Sequence, residues 1–159
     1  MATWSEFTEA APALAATGER LLTQFGPGLG FLATVRPDGG PRLHPICPVL
    51  LDGQLWAFLI EASPKCADVR RDGRYALHSF PPAEVDDEFV VHGRATEVVP
   101  SPELHARICA ATVASVGRPD EVLFSLSVDA AQSATYEGRG VFPPAYARWT
   151  DPAVEGSAG

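Results

Sequence analysis

Long hydrophobic runs are missing from the sequence: nowhere in its 159 residues is there the stretch of roughly 20 apolar residues that a membrane-spanning helix needs. Basic residues are also few. Twelve Lys and Arg stand against twenty Asp and Glu, giving a net charge of −8, whereas binding to nucleic acid or to an anionic membrane requires a basic face that neutralises phosphates. Neither partner is expected. Cysteine is limited to Cys47, Cys66 and Cys109, an odd and widely spaced set that does not read as a disulfide framework and fits reduced thiols. Near the N-terminus, Glu6 and Glu9 come early and no basic region precedes an apolar core, which is not the pattern of a secretory signal. A cytoplasmic protein is expected. There is no Pro/Gly/Ser-rich linker, internal repeat or low-complexity block, so residues 1–150 read as one domain, with 151–159 as a small, polar, frayed tail.

Several chemistries lack their motifs as well. Without Cys-x-x-Cys or His-Glu-x-x-His, the four histidines and three cysteines do not form a metal set by spacing. The Gly-x-Ser-x-Gly elbow of hydrolases and the phosphate-loop lysine motif are absent. Gly26-Pro27-Gly28-Leu29-Gly30 precedes a strand, the wrong order for a dinucleotide site. No side chain is singled out as catalytic. An enzyme built from this sequence would lean on a bound organic cofactor.

What is present is a succession of short strands. Apolar residues at Ala11, Leu14, Ala15, Leu21, Leu22 and Phe25 predict a helix over 7–25, with Pro12 at its true start, ended by Gly26-Pro27-Gly28. A strand over 29–36, the turn Pro37-Asp38-Gly39-Gly40 and a second run over 42–51 form a hairpin. Pro41, Pro45 and Pro48 make that run irregular: either a plain edge strand or a place where backbone is left free to meet a ligand. Strands are predicted over 54–60, 74–80 and 89–99, a further helix over 101–117, and closing strands within 121–138. The barrel proper spans 29–99. The fold class is mainly β with marginal helices, an antiparallel barrel of six or seven strands.

The most informative stretch is Ser63-Pro64-Lys65-Cys66-Ala67-Asp68-Val69-Arg70-Arg71-Asp72. Ser63 suits an N-cap and Pro64 the first helical position, so a helix starts here with unpaired N–H groups and the positive end of its dipole. Ordinary capping explains this pattern. So does a phosphate site using Ser63, Lys65 and an arginine.

Four blocks then carry a resemblance. Gly30-Phe31-Leu32-Ala33-Thr34-Val35 leading through Pro37-Asp38-Gly39-Gly40-Pro41-Arg42-Leu43-His44-Pro45, the Ser63-Pro64-Lys65 helix with Val69-Arg70-Arg71-Asp72, Tyr75-Ala76-Leu77-His78, and Val91-His92-Gly93-Arg94-Ala95 together resemble the pyridoxamine 5'-phosphate oxidase-like family of split β-barrels. The resemblance covers residues 26–99 and, more loosely, the flanks. It implies a homodimer holding FMN, or the deazaflavin coenzyme F-420, between subunits, and an oxidoreductase that transfers hydride to or from a small-molecule substrate. A non-catalytic cofactor or haem carrier is the alternative from another class. By the resemblance Leu43, His44, Pro45 and Ile46 border the ring, while Ile60, Ser63, Lys65 and Arg70 or Arg71 hold the phosphate. His44 or His78 would orient the substrate or hydrogen-bond the ring, roles that stand beside structural ones. Tyr146-Ala147-Arg148-Trp149 would close over the cofactor or anchor the tail. The Arg-x-His substrate motif of true pyridoxamine phosphate oxidases is missing, so that substrate is not implied.

Overall fold

The computed structural model describes residues 1–155. Thr3 accepts from the Glu6 N–H while the Glu6 carboxylate takes the Thr3 N–H, a capping box that opens helix α1, Trp4–Ala10. Pro12 cannot donate to a continuing helix, so a second one, α2, starts with it and runs Pro12–Thr23. The helix expected over 7–25 is therefore two. Strands β1 (Gly30–Val35) and β2 (Pro41–Ile46) form the expected hairpin. The run expected over 42–51 is divided at Cys47-Pro48, and β3 (Val49–Leu51) pairs instead with β4 (Gln54–Ile60). Helix α3 (Pro64–Asp72) follows, then β5 (Arg74–Ser79) and the long β6 (Glu88–Val98).

Helix α4 covers Pro102–Ala110 and is shorter than the expected 101–117, because Thr112 and Val113 are poor helix formers and Gly117 takes a positive φ of 74°. The chain closes with β7 (Glu121–Leu126), β8 (Ala130–Thr135) and β9 (Ala145–Thr150). Tyr146 and Trp149 thus belong to a strand, with Trp149 packed on Phe7 at 5.1 Å between ring centroids. Past residue 150, Asp151 is buried and pairs with the Met1 ammonium group at 2.5 Å, and Pro152–Glu155 forms a single helical turn, α5. Of the expected frayed tail, residues 156–159 lie outside the described part.

The nine strands of the described residues form one antiparallel sheet in the order β2-β1-β5-β6-β7-β4-β3, with β8 between β6 and β9. This is a split β-barrel. The split is built into β6. Its first half, Glu88–His92, pairs with β8, and Ala95–Val98 pairs with β7. At the change of partner the Ser127 N–H donates to the Arg94 carbonyl and the Arg94 N–H to the Ser127 hydroxyl, and a Cβ on Gly93 would lie 1.9 Å from the Ser127 carbonyl oxygen. Only glycine lets β6 and the β7–β8 junction approach this closely. Inside, Phe7, Leu21, Leu22, Leu32, Leu77, Phe89, Val91 and Leu126 fill the main core. Val49, Trp56, Phe58, Ile108 and Leu123 form a second cluster under α4. Strand β4 is buried from Leu55 to Leu59 because it is covered on both faces.

Gly93→Ala forces backbone apart rather than a flexible side chain. It should lower the unfolding free energy by about 3 kcal/mol, read as a fall in the urea midpoint; an unchanged midpoint would contradict the close approach.

Candidate functional site

Ser63 starts α3 as a local cap. Its hydroxyl donates to the Ile60 carbonyl at 2.6 Å and accepts the Cys66 N–H at 3.3 Å, so both its bonds are engaged in ending β4 and opening the helix. Pro64 has no N–H to offer. Gly73 closes the helix at a left-handed φ of 51°. In the first turn stands Lys65, the only lysine of the sequence, half-buried and without a hydrogen-bond or ion-pair partner among the described residues.

Lys65 lines an open cleft of about 220 Å³. Pro45, Ile46 and Cys47 at the end of β2 form one side, Phe58 and Ile60 of β4 another, and Ser115, Val116, Arg118 and Glu121 the third. Four residues predicted from the sequence meet here: Pro45, Ile46, Ile60 and Lys65. The third side was not predicted. It arrives because Ile60 pairs with Glu121 across β4 and β7, a contact between residues remote in sequence that leaves no local signal. Arg118 is held by Asp120 at 3.2 Å and Glu121 at 3.1 Å, so its charge is matched. Burial, with the Glu121 charge beside it, pushes the Cys47 thiol above its ordinary pKa and keeps it protonated at neutral pH.

His44 lies on the same face of β2 as Arg42 and Ile46, alternate residues of one strand. Its Nε2 is enclosed and has no hydrogen-bond partner. Burial depresses the imidazole pKa, and the Lys65 and Arg42 cations depress it further against an opposing pull from Asp68. His44 is therefore neutral at pH 7. An unsatisfied polar atom of this kind costs about 1–3 kcal/mol, which a ligand group bonded to it would offset.

The other predicted residues are placed elsewhere. Leu43 is 62% exposed on the opposite face of β2. His78 shares that outer face in the row Pro45, Phe31, His78, two strands or roughly 10 Å from Pro45, with Nδ1 2.6 Å from the Ser79 carbonyl oxygen. Arg70 donates to Glu97 at 2.7 and 2.8 Å and to Glu61 at 3.1 Å, and these bonds raise its pKa further. Arg71 bonds the Val35 carbonyl and lies 3.6 Å from Asp68. Neither arginine lines the cleft. What the cleft offers is one free ammonium group and an aliphatic and aromatic wall, with His44 next to the wall residue Pro45 in the chain. That arrangement can hold an anionic group at one end and a flat apolar body along the other.

The family model described as pyridoxamine 5'-phosphate oxidase matches residues 19–135. Among solved structures the chain is similar to a heme binding protein from Mycobacterium smegmatis, with a TM-score of 0.63, 20% identity and 85% of this chain covered. It spans 57% of the length of that protein. It is also similar to a protein from Clostridium acetobutylicum related to general stress protein 26 of B. subtilis (pyridoxinephosphate oxidase family), with a TM-score of 0.60, 9% identity, and 87% and 95% of the two chains covered. General stress protein 26 from Bacillus anthracis gives 0.56, 18%, and 82% and 98%. At such identities these structures carry the fold alone. No curated protein sequence matches the chain.

The environment of His44 sets a measurable outcome. Its ring should titrate below 6.5 in an NMR pH series, and Lys65→Met should move that midpoint upward by removing a neighbouring positive charge. Folding favours the neutral ring, so the stability it contributes is full above 6.5 and is lost as pH falls towards the folded-state value. A midpoint at or above 6.5 would place the ring in water.

Proposed function

The chain belongs to the pyridoxamine 5'-phosphate oxidase family, and from that membership we propose that it is an FMN-dependent oxidoreductase acting on a small organic substrate. The observation that carries the proposal is the unpaired Lys65 in the first turn of α3, at the mouth of a cleft walled by Ile46, Phe58 and Ile60. Lys65 would hold the phosphate, assisted by the positive end of α3 and by its own backbone N–H. The apolar side chains would exclude water from one face of the ring, and His44 would supply the polar atom at its edge. When bound, FMN accepts and returns a hydride equivalent. The chain's part is to position the reactants and keep the site dry.

Charge pairing favours FMN over coenzyme F-420. The latter continues past its phosphate into a carboxylate-bearing tail, and Arg118 at the cleft and Arg70 and Arg71 further along α3 are already matched by acidic or carbonyl partners. A ligand ending at one phosphate fits a single free cation better. The cleft volume of about 220 Å³ lies below the roughly 300–1,000 Å³ of sites that enclose such a molecule. We therefore place the cofactor between two copies of the chain, with the exposed Leu43 and Pro45 on the face towards the second copy.

His44 also favours a second reading. A neutral imidazole with an unpartnered nitrogen is the chemistry that ligates haem iron, and one structurally similar protein is a heme binding protein. The absorption spectrum of protein purified with its natural ligand separates the two by the Soret band.

Lys65→Ala should weaken FMN binding about 10- to 100-fold in a fluorescence titration, the loss of a charge-assisted contact. Riboflavin, which has no phosphate, should bind the variant and the parent equally, and Arg70→Ala should leave FMN affinity within about twofold because that guanidinium is engaged by Glu97 and Glu61. Equal losses for both flavins in Lys65→Ala would remove the phosphate assignment. Light scattering should give a dimer in the FMN-bound state; a monomer with full affinity would remove the shared cleft.

A further inference from the structure

His105 and Cys109 stand four residues apart on one face of α4, with Sγ 3.8 Å from the imidazole Nδ1. The thiol proton has a second acceptor in the Val116 carbonyl oxygen, 3.6 Å from Sγ. The imidazole meets Phe58 edge-on, with 5.4 Å between ring centroids and 71° between planes. Gly117 covers the pair. At its φ of 74°, a Cβ on this residue would lie 2.4 Å from Sγ and 2.9 Å from His105 Nε2. The thiol and the imidazole are thus packed directly beneath the stretch 115–118.

The three thiols have different surroundings. Cys66 is 0% exposed within the main core. Cys47 is half-buried, and burial with the Glu121 charge keeps it protonated. Cys109 is also half-buried, and among the described residues it is the cysteine with an imidazole in contact. The carbonyls at the C-terminal end of α4 disfavour a thiolate, so reactivity at this position depends on a base to take the proton.

We propose that Cys109 is a modification site: a thiol that His105 activates towards hydrogen peroxide, and whose oxidation loosens the stretch 115–118. The thiol proton passes to Nδ1 and the thiolate sulfur attacks one peroxide oxygen. An S–O bond forms as the O–O bond breaks, and the departing hydroxide takes the proton back from the imidazolium as water. Sulfur is oxidised by two electrons to a sulfenic acid, and the peroxide is reduced by two. The tight cover of Gly117 favours an oxidant that adds a single oxygen atom over a bulky electrophile. That oxygen enters space that Gly117 leaves no room for, so the covering stretch moves outward. The inference does not depend on the flavin reading above.

The test exposes purified protein to hydrogen peroxide for a set time, unfolds it and alkylates the remaining thiols. Peptide mass spectrometry then reads oxidation at each cysteine. At pH 7, Cys109 should be oxidised about tenfold faster than Cys47 or Cys66. His105→Phe keeps a ring against Phe58 and removes the base. It should slow oxidation of Cys109 about tenfold at pH 7 and by less than about twofold at about pH 10, where an ordinary thiol ionises unaided. Should that variant fail to fold, His105→Gln is read by the same criterion. Oxidation of Cys109 no faster than Cys47 overturns the proposal, as does an equal loss at both pH values, which would make His105 merely structural. In the oxidised protein, amide hydrogen exchange over 112–118 should rise about tenfold with β5 unchanged. No rise there, or a rise shared by β5, overturns the link between the thiol and the stretch above it.

Discussion

Pro48 has no N–H to give to a ladder, and its carbonyl is pressed so closely on Gly28 that a Cβ there would lie 1.9 Å from the oxygen. The chain therefore cannot run as one strand from Pro41 to Leu51. It leaves β1 after Ile46, crosses, and pairs with β4 from Val49 onward. Everything that makes a cleft follows from this interruption. A continuous strand would pair along its length and close the gap, whereas the crossing leaves Ile46 and Cys47 as one bank and Phe58 and Ile60 of the other half-sheet as the opposite bank. The mirror event is in β6, where Gly93 allows a single strand to exchange β8 for β7 as its partner. One strand is cut and another is shared, and the barrel is split between them.

Electrostatics then sorts the residues brought to that gap. Around α3 the arginines are matched at short range, Arg70 by Glu97 and Glu61, Arg42 by Asp68, and Arg118 by Asp120 and Glu121. In a chain with eight more negative than positive charges, such pairing is what numbers alone would favour. Among the described residues that line the cleft, Lys65 is the cation without such a partner. It sits at a helix start where the peptide dipoles have the same sign, an arrangement that is unfavourable for a cation and becomes favourable once an anion lies between them.

How much of this was legible in the sequence follows from how local each cause is. The Ser63-Pro64 helix start, the β1–β2 turn and the strand over 54–60 rest on neighbours in the chain, and they were readable there. The prolines announced an irregular second strand, but which half-sheet each piece would join is a property of the whole topology. Arg70 looked like a phosphate ligand because its partner Glu97 is 27 residues away. Likewise Ser115, Val116 and Arg118 reach the cleft only through the pairing of β4 with β7. Strand β9 escaped notice for another reason. Ala145–Thr150 is an exposed edge whose side chains show no alternation between core and solvent, so neither period nor burial marks it.

That the sequence contains a single lysine, and that this lysine is the one at the cleft, gives the protein an intrinsic chemical address. An amine-directed reagent finds one side-chain target in this sequence. Occupancy of the cleft can thus be followed by covalent labelling of the unaltered chain, with mass spectrometry counting the adduct and no reporter introduced.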